Sequence, residues 1–232
     1  MKDITMQIIA RIKSDFQTKF GIPRQSGLVK TLQSTIIFEP VFRNDDALRG
    51  LEDFSHLWII WQFSETLRSE WSPTVRPPRL GGNTRLGVFA TRSPFRPNSI
   101  GLSSVEIIGL EKTAEYGTVI HVAGADLMDG TPIFDIKPYI PYCDCHPEAL
   151  GGFTSTVDDY ILDVVFPDDL LAKLPETKQQ AAIDVLRHDP RPSYQKDDQR
   201  QYGLMFAGYD IRFHVHNKQL TVCDVVENSL LD

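Results

Sequence analysis

Cysteine is too scarce in this 232-residue chain to form a disulfide framework: Cys143, Cys145 and Cys223 are an odd set in a sequence long enough to bury its own core. Free thiols of this kind fit a reducing compartment. Long apolar runs are also missing. The longest, Phe54 to Phe63, falls far short of the roughly 20 residues that cross a bilayer. The N-terminal segment MKDITMQIIARIKSDF sets Asp3, Arg11 and Lys13 around a very short apolar stretch, which is not the pattern of a signal peptide. Basic excess is absent as well. With 24 Lys and Arg against 31 Asp and Glu, the net charge of −7 argues against a protein that coats nucleic acid unselectively. These absences predict a soluble, cytoplasmic chain. No strand–GxGxxG–helix unit occurs, so the usual dinucleotide or Rossmann-type methyl-donor fold is not signalled. Walker loops, HExxH and GxSxG elbows are missing too.

Against this acidic background one stretch differs. Residues 75–101, VRPPRLGGNTRLGVFATRSPFRPNSIG, hold Arg76, Arg79, Arg85, Arg92 and Arg96 without a single Asp or Glu. Guanidinium groups are rigid forks suited to phosphates, carboxylates and ring stacking. Prolines at 77, 78, 94 and 97 stiffen the segment, and Gly81 and Gly82 allow close backbone approach. A stiff basic loop of this kind suits an anionic or nucleotide-like ligand. The bland alternative is a solvated loop with scattered arginines.

The pattern before residue 142 is short, β-type and turn-rich. Candidate strands are Met6–Ile12, Thr35–Phe42, His56–Phe63, Leu86–Thr91, Ile100–Leu110, Thr118–Val122 and Thr131–Ile136, with a helical piece over Asp45–Leu51 capped by Asn44. HLWIIWQF is nearly continuously apolar, as in a strand covered on both sides or in a barrel wall. Asp129-Gly130 marks a tight turn. Many short strands between turn signals predict a closed or nearly closed β-barrel. The chain thus divides into a β-barrel domain over 1–142, a linker over 143–156, and a small α+β domain over 157–232. In the last, a strand through Tyr160–Phe166 is followed by helices at Pro167–Leu174 and Thr177–Arg187. Strands at Tyr209–Val215 and Leu220–Val225 complete a β-α-α-β-β unit. The expected class is mainly β with an α+β part.

Other stretches hold candidate chemistry. Gly21-Ile-Pro23-Arg24-Gln25-Ser-Gly27 presents an arginine and an amide from a stiff loop, or is a plain turn. Asp126-Leu127-Met128-Asp129 supplies two carboxylates beside a turn, where Asp also serves local needs. Asp135 and Lys137, two residues apart, share a strand face as an ion pair or a tuned acid/base pair. Asp189-Pro-Arg191-Pro-Ser-Tyr194 displays an arginine and an aromatic on a rigid turn, a combination that grips phosphate and stacks on a base. Cys143-Asp-Cys145-His146 lacks the second ligand pair of a structural zinc site and is read as ordinary thiols, with no metal.

PRQSGLVK, GLEDFSHLWII, TVRPPRLGGNTRLGVFATRSPFRPNSIGLS, DLMDGTPIFDIKPYIPY and DPRPSYQK together resemble the TsaA/TrmO (YaeB-like) family over the whole chain. Its members are S-adenosylmethionine-dependent tRNA methyltransferases acting on N6-threonylcarbamoyladenosine at position 37, in the anticodon loop. The resemblance implies a non-Rossmann β-barrel methyltransferase, a homodimer, and a cofactor held near the subunit interface. By position it places cofactor contacts on Pro23, Arg24 and Gln25, on Ser64 and Glu65, on Arg92 and Leu102, and on Asp126, Leu127, Met128 and Asp129. Some relatives carry a His-Gln pair where this chain has Ser64-Glu65, which leaves the side-chain roles there open while backbone contacts can survive the change.

The implied acceptor nitrogen is urea-like and a poor nucleophile until it loses its proton, so a general base or a stabilising positive charge is expected. Asp135 is the candidate base, Lys137 its orienter or electrostatic partner, and Tyr139 a weaker alternative. A basic rim of Arg76, Arg79, Arg85, Arg96, Arg191 and Lys196, with Tyr194 as a stacking aromatic, is expected to contact tRNA. Two other classes share these motifs: a regulator that binds S-adenosylmethionine or a nucleotide without turnover, and an RNA-binding adaptor.

Overall fold

The computed structural model describes residues 5–66, 70–80, 83–156, 160–191, 197 and 200–228, the side chains of Arg79 and Thr156 excepted. The first part of the chain forms strands β1 (Ala10–Lys13), β2 (Gln33–Phe38), β3 (His56–Gln62), the short β4 (Thr74–Val75) and β5 (Leu86–Gly87), β6 (Ile100–Thr113), β7 (Gly117–Ala123) and β8 (Pro132–Pro138). The six longer ones pair in the cyclic order β1-β2-β7-β6-β3-β8 and close into a barrel. β4 and β5 form a separate antiparallel pair.

Period-2 alternation decides what each wall residue does. In β3, Leu57, Ile59 and Trp61 point inward, and with Ala10, Ile12, Ile36, Ile120, Val122 and Ile133 they fill the interior. His56, Trp58 and Ile60 face outward and are only partly covered. The apolar run of β3 is therefore not buried on both sides. Its outer half is an apolar wall that other elements cover in part.

One interior contact depends on a missing side chain. Gly101 lies opposite Trp61 in the β3–β6 ladder, and a Cβ there would sit 2.2 Å from the indole Cε2. The indole occupies that space and donates from Nε1 to Ser103 Oγ at 3.0 Å.

The second part carries α1 (Pro141–Asp144), β9 (Asp163–Val165), α2 (Asp168–Leu171), α3 (Glu176–Arg187), β10 (Tyr202–Phe206), β11 (Tyr209–His216) and β12 (Gln219–Glu227). Its sheet runs β10-β11-β12-β9, with β9 parallel to β12. α3 buries Ala181, Ala182, Val185 and Leu186 in a second core with Leu204, Phe206, Phe213 and Val222. Phe16, Val29 and Leu32, which come from the segment between β1 and β2, complete that core. The same segment is tied across by Lys178 Nζ to Asp15 Oδ2 and by Thr31 Oγ1 to Asp184 Oδ2, both at 2.7 Å. The first thirty residues thus serve both cores, and the boundary between them does not follow chain order.

Several expected elements differ. Met6–Ile12 contributes only from Ala10, and Thr35–Phe42 ends at Phe38 because Pro40 opens a 3-10 turn. Asp45–Leu51 is two 3-10 turns separated by Gly50 at φ 86°, although Asn44 does cap the first by accepting from the Asp46 N–H at 3.0 Å. Leu86–Thr91 is a strand for two residues and then the 3-10 turn Val88–Ala90. β10 was not expected at all. Tyr202, Leu204 and Phe206 alternate as a strand should, but Gly203 stands inside the run and breaks the pattern by eye.

Filling the Gly101 gap should be costly. Gly101→Ala is expected to lower stability by about 1–3 kcal/mol, the usual cost of overpacking a filled interior. Urea denaturation of the two proteins measures it, and equal midpoints would mean that the indole is free to move aside.

Candidate functional site

The outer wall of β8, β3 and β6 sets the site out in rows, because residues paired across a ladder share a face. One row reads Lys137, Trp58, Ser104; the next reads Asp135, Ile60, Leu102. Against this wall lies a cleft of about 440 Å³ lined by Ser26, His56, Trp58, Arg92, Leu102, Ser104, Tyr139 and Asp144. That is within the usual range for a small-molecule site.

Its polar end is assembled from three separated segments. The loop after β1 delivers Gln25 and Ser26; Ser26 Oγ accepts from the Ser104 N–H at 3.2 Å and pins the loop to β6. Arg92, held just beyond the Val88–Ala90 turn, donates from Nη1 to Gln25 Oε1. Asp126, past β7, accepts from Ser103 Oγ at 2.5 Å, and Ser103 is also the acceptor for Trp61. Indole, hydroxyl and carboxyl thus form one hydrogen-bonded chain, whose carboxyl end is near enough to feel the charge of Arg92. Burial pushes the Asp126 carboxyl above its ordinary 3.8; the Ser103 hydroxyl, backbone N–H groups and the charge of Arg92 oppose that shift without cancelling it.

The aromatic end is built on Trp58 and Tyr139, whose ring centroids are 5.6 Å apart, with His56 6.2 Å from Tyr139. Asp144 fixes the indole. Its Oδ2 accepts from the Ile140 N–H at 2.8 Å and from Trp58 Nε1 at 2.9 Å. Those donors, the Ile140 amide first, hold the Asp144 carboxyl below its ordinary value, so this edge of the cleft is anionic near neutral pH. Partial burial and the neighbouring acidic groups of Cys145 and Asp144 push the Tyr139 hydroxyl up. A phenol that holds its proton more tightly offers less phenolate near neutral pH, which weakens Tyr139 as a general base.

Of the residues expected at a cofactor, the structure brings Gln25, Arg92, Leu102 and Asp126 together, with Arg24 exposed beside them and Pro23 buried behind. Leu102 is 54% exposed on the wall. Ser64 and Glu65 lie in a 3-10 turn just beyond β3. Leu127 is buried in the barrel core, so only its backbone can serve a ligand. The Met128 carbonyl accepts from Thr131 Oγ1 at 2.6 Å. Asp129 has a local task, accepting from the Ser14 N–H at 2.8 Å while its own N–H donates to the Phe16 carbonyl. Asp135 and Lys137 form an ion pair at 2.9 Å on the outer wall; Lys137 pairs across the ladder with Trp58, but neither residue lines the cleft.

The expected RNA-facing arginines divide. Arg76 is exposed, and Arg85 donates to Thr74 Oγ1 at 2.8 Å from the rim of the β4–β5 hairpin. Arg96 turns back, donating to the Thr91 carbonyl at 2.9 Å, and so braces its own loop. Arg191 is 8% exposed, its Nε and Nη2 donate to the two Asp189 oxygens at 2.8 and 3.0 Å, and it lies over Tyr202. A guanidinium held in this way organises its own turn. Tyr194, Lys196 and the side chain of Arg79 lie outside the described residues. Cys143 and Cys145 are exposed thiols, and no metal-binding group of three His, Cys, Asp or Glu occurs among the described residues.

Sequence reasoning missed Ser26, Ser103, Ser104, Trp58, His56 and Asp144. For the wall residues a signal was present: outward-facing Trp58 and Ile60 are larger and more apolar than a solvated barrel face requires.

The buried acid has a measurable consequence. Since the folded protein holds the Asp126 proton more tightly than the unfolded chain, stability falls as pH rises from about 3.8 through the raised value, and the full cost persists above it. Asp126→Asn keeps an oxygen for Ser103 and removes that cost. It is expected to be more stable than the parent at pH 7, with the advantage shrinking as pH falls to about 4 in urea titrations. A gap unchanged with pH would assign the effect elsewhere.

The tRNA-methyltransferase O N-terminal domain matches residues 11–145, and the TrmO C-terminal domain matches residues 159–228. The Escherichia coli (strain K12) protein named "tRNA (adenine(37)-N6)-methyltransferase" is 40% identical over 224 residues, covering 93% of this chain and 94% of its own length. A Pseudomonas aeruginosa (strain PAO1) relative, named "Putative S-adenosylmethionine-dependent methyltransferase RcsF", is 39% identical over 214 residues, 89% of this chain and 90% of that one. The crystal structure of TrmO from Pseudomonas aeruginosa superposes with a TM-score of 0.77 at 31% identity, over 97% of this chain and all of that one. The cleft, the arginine-rich loop and both structural units fall inside these matches, and the chain belongs to the TrmO tRNA-methyltransferase family.

Proposed function

We propose that this chain is a tRNA (adenine37-N6) methyltransferase that uses S-adenosylmethionine, and that its acceptor is the N6 of N6-threonylcarbamoyladenosine in the anticodon loop. The observation that carries the reading is a cleft lined by Arg92 and Leu102 beside the aromatic pair Trp58 and Tyr139, with Gln25 bonded to Arg92 and the Asp126 carboxyl within reach of the Arg92 charge. Its fit to the donor is chemical. A sulfonium cation with an ammonium and a carboxylate calls for an anion, a cation and an aromatic face. Asp126, Arg92 with Arg24, and Trp58 with Tyr139 supply these. S-adenosylmethionine brings the activated methyl group; the chain's residues orient it and exclude water.

The acceptor step needs a proton removed from a delocalised nitrogen. Asp135, paired to Lys137 outside the cleft lining, serves as base in this reading only if the substrate's base lies along the wall from Trp58 towards Ile60. Alignment of sulfur, methyl and nitrogen contributes the rest. The reading also includes a homodimer, whose second copy covers exposed Leu102 and Ile100 on the wall, and a cytoplasmic location. It divides the chain into a barrel domain over 1–142, a linker over 143–156 and a tRNA-contacting α+β domain over 157–232.

Mass analysis of nucleosides from tRNA incubated with protein and S-adenosylmethionine tests the reading directly. A gain of one methyl on threonylcarbamoyladenosine alone is the expected result. No gain on tRNA with or without that modification, despite bound donor, would favour a regulator without turnover. Arg92→Ala is expected to weaken donor binding roughly ten-fold or more, as loss of a charge-assisted contact does, read by calorimetry. Asp135→Asn is expected to lower the transfer rate roughly 100-fold, within the range for a general base, with donor affinity unchanged; a near-normal rate would remove Asp135 from the chemistry.

A further inference from the structure

Trp71 and Phe89 are left 51% and 71% exposed, yet their rings stack on each other with centroids 6.0 Å apart and planes 30° apart. Neither belongs to a core cluster. The β4–β5 hairpin brings them together. Trp71 precedes β4, Phe89 follows β5, and the Val88 N–H donates to the Pro73 carbonyl at 2.9 Å between them. Val88 is buried and anchors the turn, which holds Phe89 outward beside Trp71.

The surroundings of this pair select among occupants. Arg76 and Arg85 stand on the same hairpin. From Trp71 to Val105 the chain holds five arginines and no acid, in a protein of net charge −7; Glu70 and Glu106 are the carboxylates that border the stretch. Aromatic faces set among guanidinium groups match a nucleobase flanked by phosphates, since every base has a π-face and every linkage a charge. Phe89 is also only three residues before Arg92, which lines the cleft. That distance is at most about 11 Å of chain.

We propose that Trp71 and Phe89 form a stacking platform for an unpaired base of the RNA loop, adjacent to the base that enters the cleft. The proposal rests on the tRNA methyltransferase reading. For a ring nitrogen substituent to reach a methyl donor the acceptor base must leave its stack, and its neighbours then each lose a face. A protein aromatic beside the cleft restores one of those faces.

The test uses the full chain, an anticodon stem-loop RNA as probe, and the variants Trp71→Ala, Phe89→Ala and Trp71→Phe. The expected result is RNA binding weakened roughly five- to hundred-fold in each alanine variant, with most of the affinity kept by Trp71→Phe. S-adenosylmethionine affinity and sedimentation behaviour should not change. The salt dependence of binding should keep its slope in Trp71→Ala, because a ring displaces no counterions, and should flatten by about one unit in Arg76→Ala. Unchanged RNA affinity in both alanine variants overturns the platform. So does an altered oligomeric state with RNA affinity intact, which would assign the pair to contact with a second copy. The binding measurement is independent of turnover. RNA binding that needs the pair, in a protein that transfers no methyl group, supports the platform and sinks the activity; methyl transfer with binding indifferent to the pair does the reverse.

Discussion

Closure of the barrel at β1 is the constraint on which the rest depends. Four residues must pair with β2 on one side and β8 on the other, and the β8 side offers only Ala10 against Ile133 and Arg11 against Pro132. Proline has no N–H to give, so the seam is completed at its margins. Ile9 and Ile12 donate to the Ile133 and Thr131 carbonyls, and Gly130 donates back to Ile12. Arg11 reaches across on the outside, to Glu39 at one end and the Gly130 carbonyl at the other. A barrel without this seam would expose two edges. It would also lose control of the next twenty residues, because Asp129 fixes Ser14 only when β8 and its preceding turn are in register.

Those twenty residues do two jobs that pull in different directions. Phe16, Val29 and Leu32 go into the second core, while Gln25 and Ser26, between them, are carried to the cleft. Gly21 makes the geometry possible. At φ 85° with a Leu204 methyl 2.2 Å from where a Cβ would stand, no other residue fits that crossing. The position of the cleft's polar end is therefore coupled to the packing of a sheet formed by residues 163–227. Asp126 belongs to the same economy: the interior chain from Trp61 through Ser103 ends on a carboxyl whose burial cost is only partly offset by its hydrogen bonds and the charge of Arg92. Sites of this kind trade stability for a poised charge.

How much of this was legible in the sequence depends on range. Alternation in β3 and β6, the caps and the turn at Asp129-Gly130 are written locally, and the mainly β character followed from them. β10 escaped because Gly203 interrupts a correct alternation, and Leu86–Thr91 misled because Val88 and Phe89 look like strand residues while Pro73 takes the ladder bond at the turn. Of the residues the family pattern implied at a cofactor, Arg92 and Leu102 line the cleft and Gln25 is bonded to Arg92, whereas the residues that complete the cleft were not in that pattern. Ser26, Ser104 and Asp144 are ordinary polar residues whose importance lies in their partners, and partners 78 and 86 positions away are not encoded in any window. Arg191 has a partner that a window reading also passes over. An arginine on a Pro-flanked turn reads as displayed until Asp189, two residues before it, is seen to close on its fork.

The location of the site follows from the size of the barrel. Six strands enclose a narrow space occupied by Leu57, Ile59, Trp61 and their partners. A ligand is left with the outer wall, which on an antiparallel barrel would normally be solvated and polar. Here it carries Trp58, Ile60 and Leu102 instead. A wall is a poor container unless something rises around it. The loop at 24–26, the Arg92 turn and α1 with Asp144 rise on separate sides. Ser26 ties the first to Ser104 and Asp144 ties the last to Trp58, while Arg92 is held through Gln25. The chemistry of the cleft can therefore be retuned by altering these attachments while the barrel stays as it is.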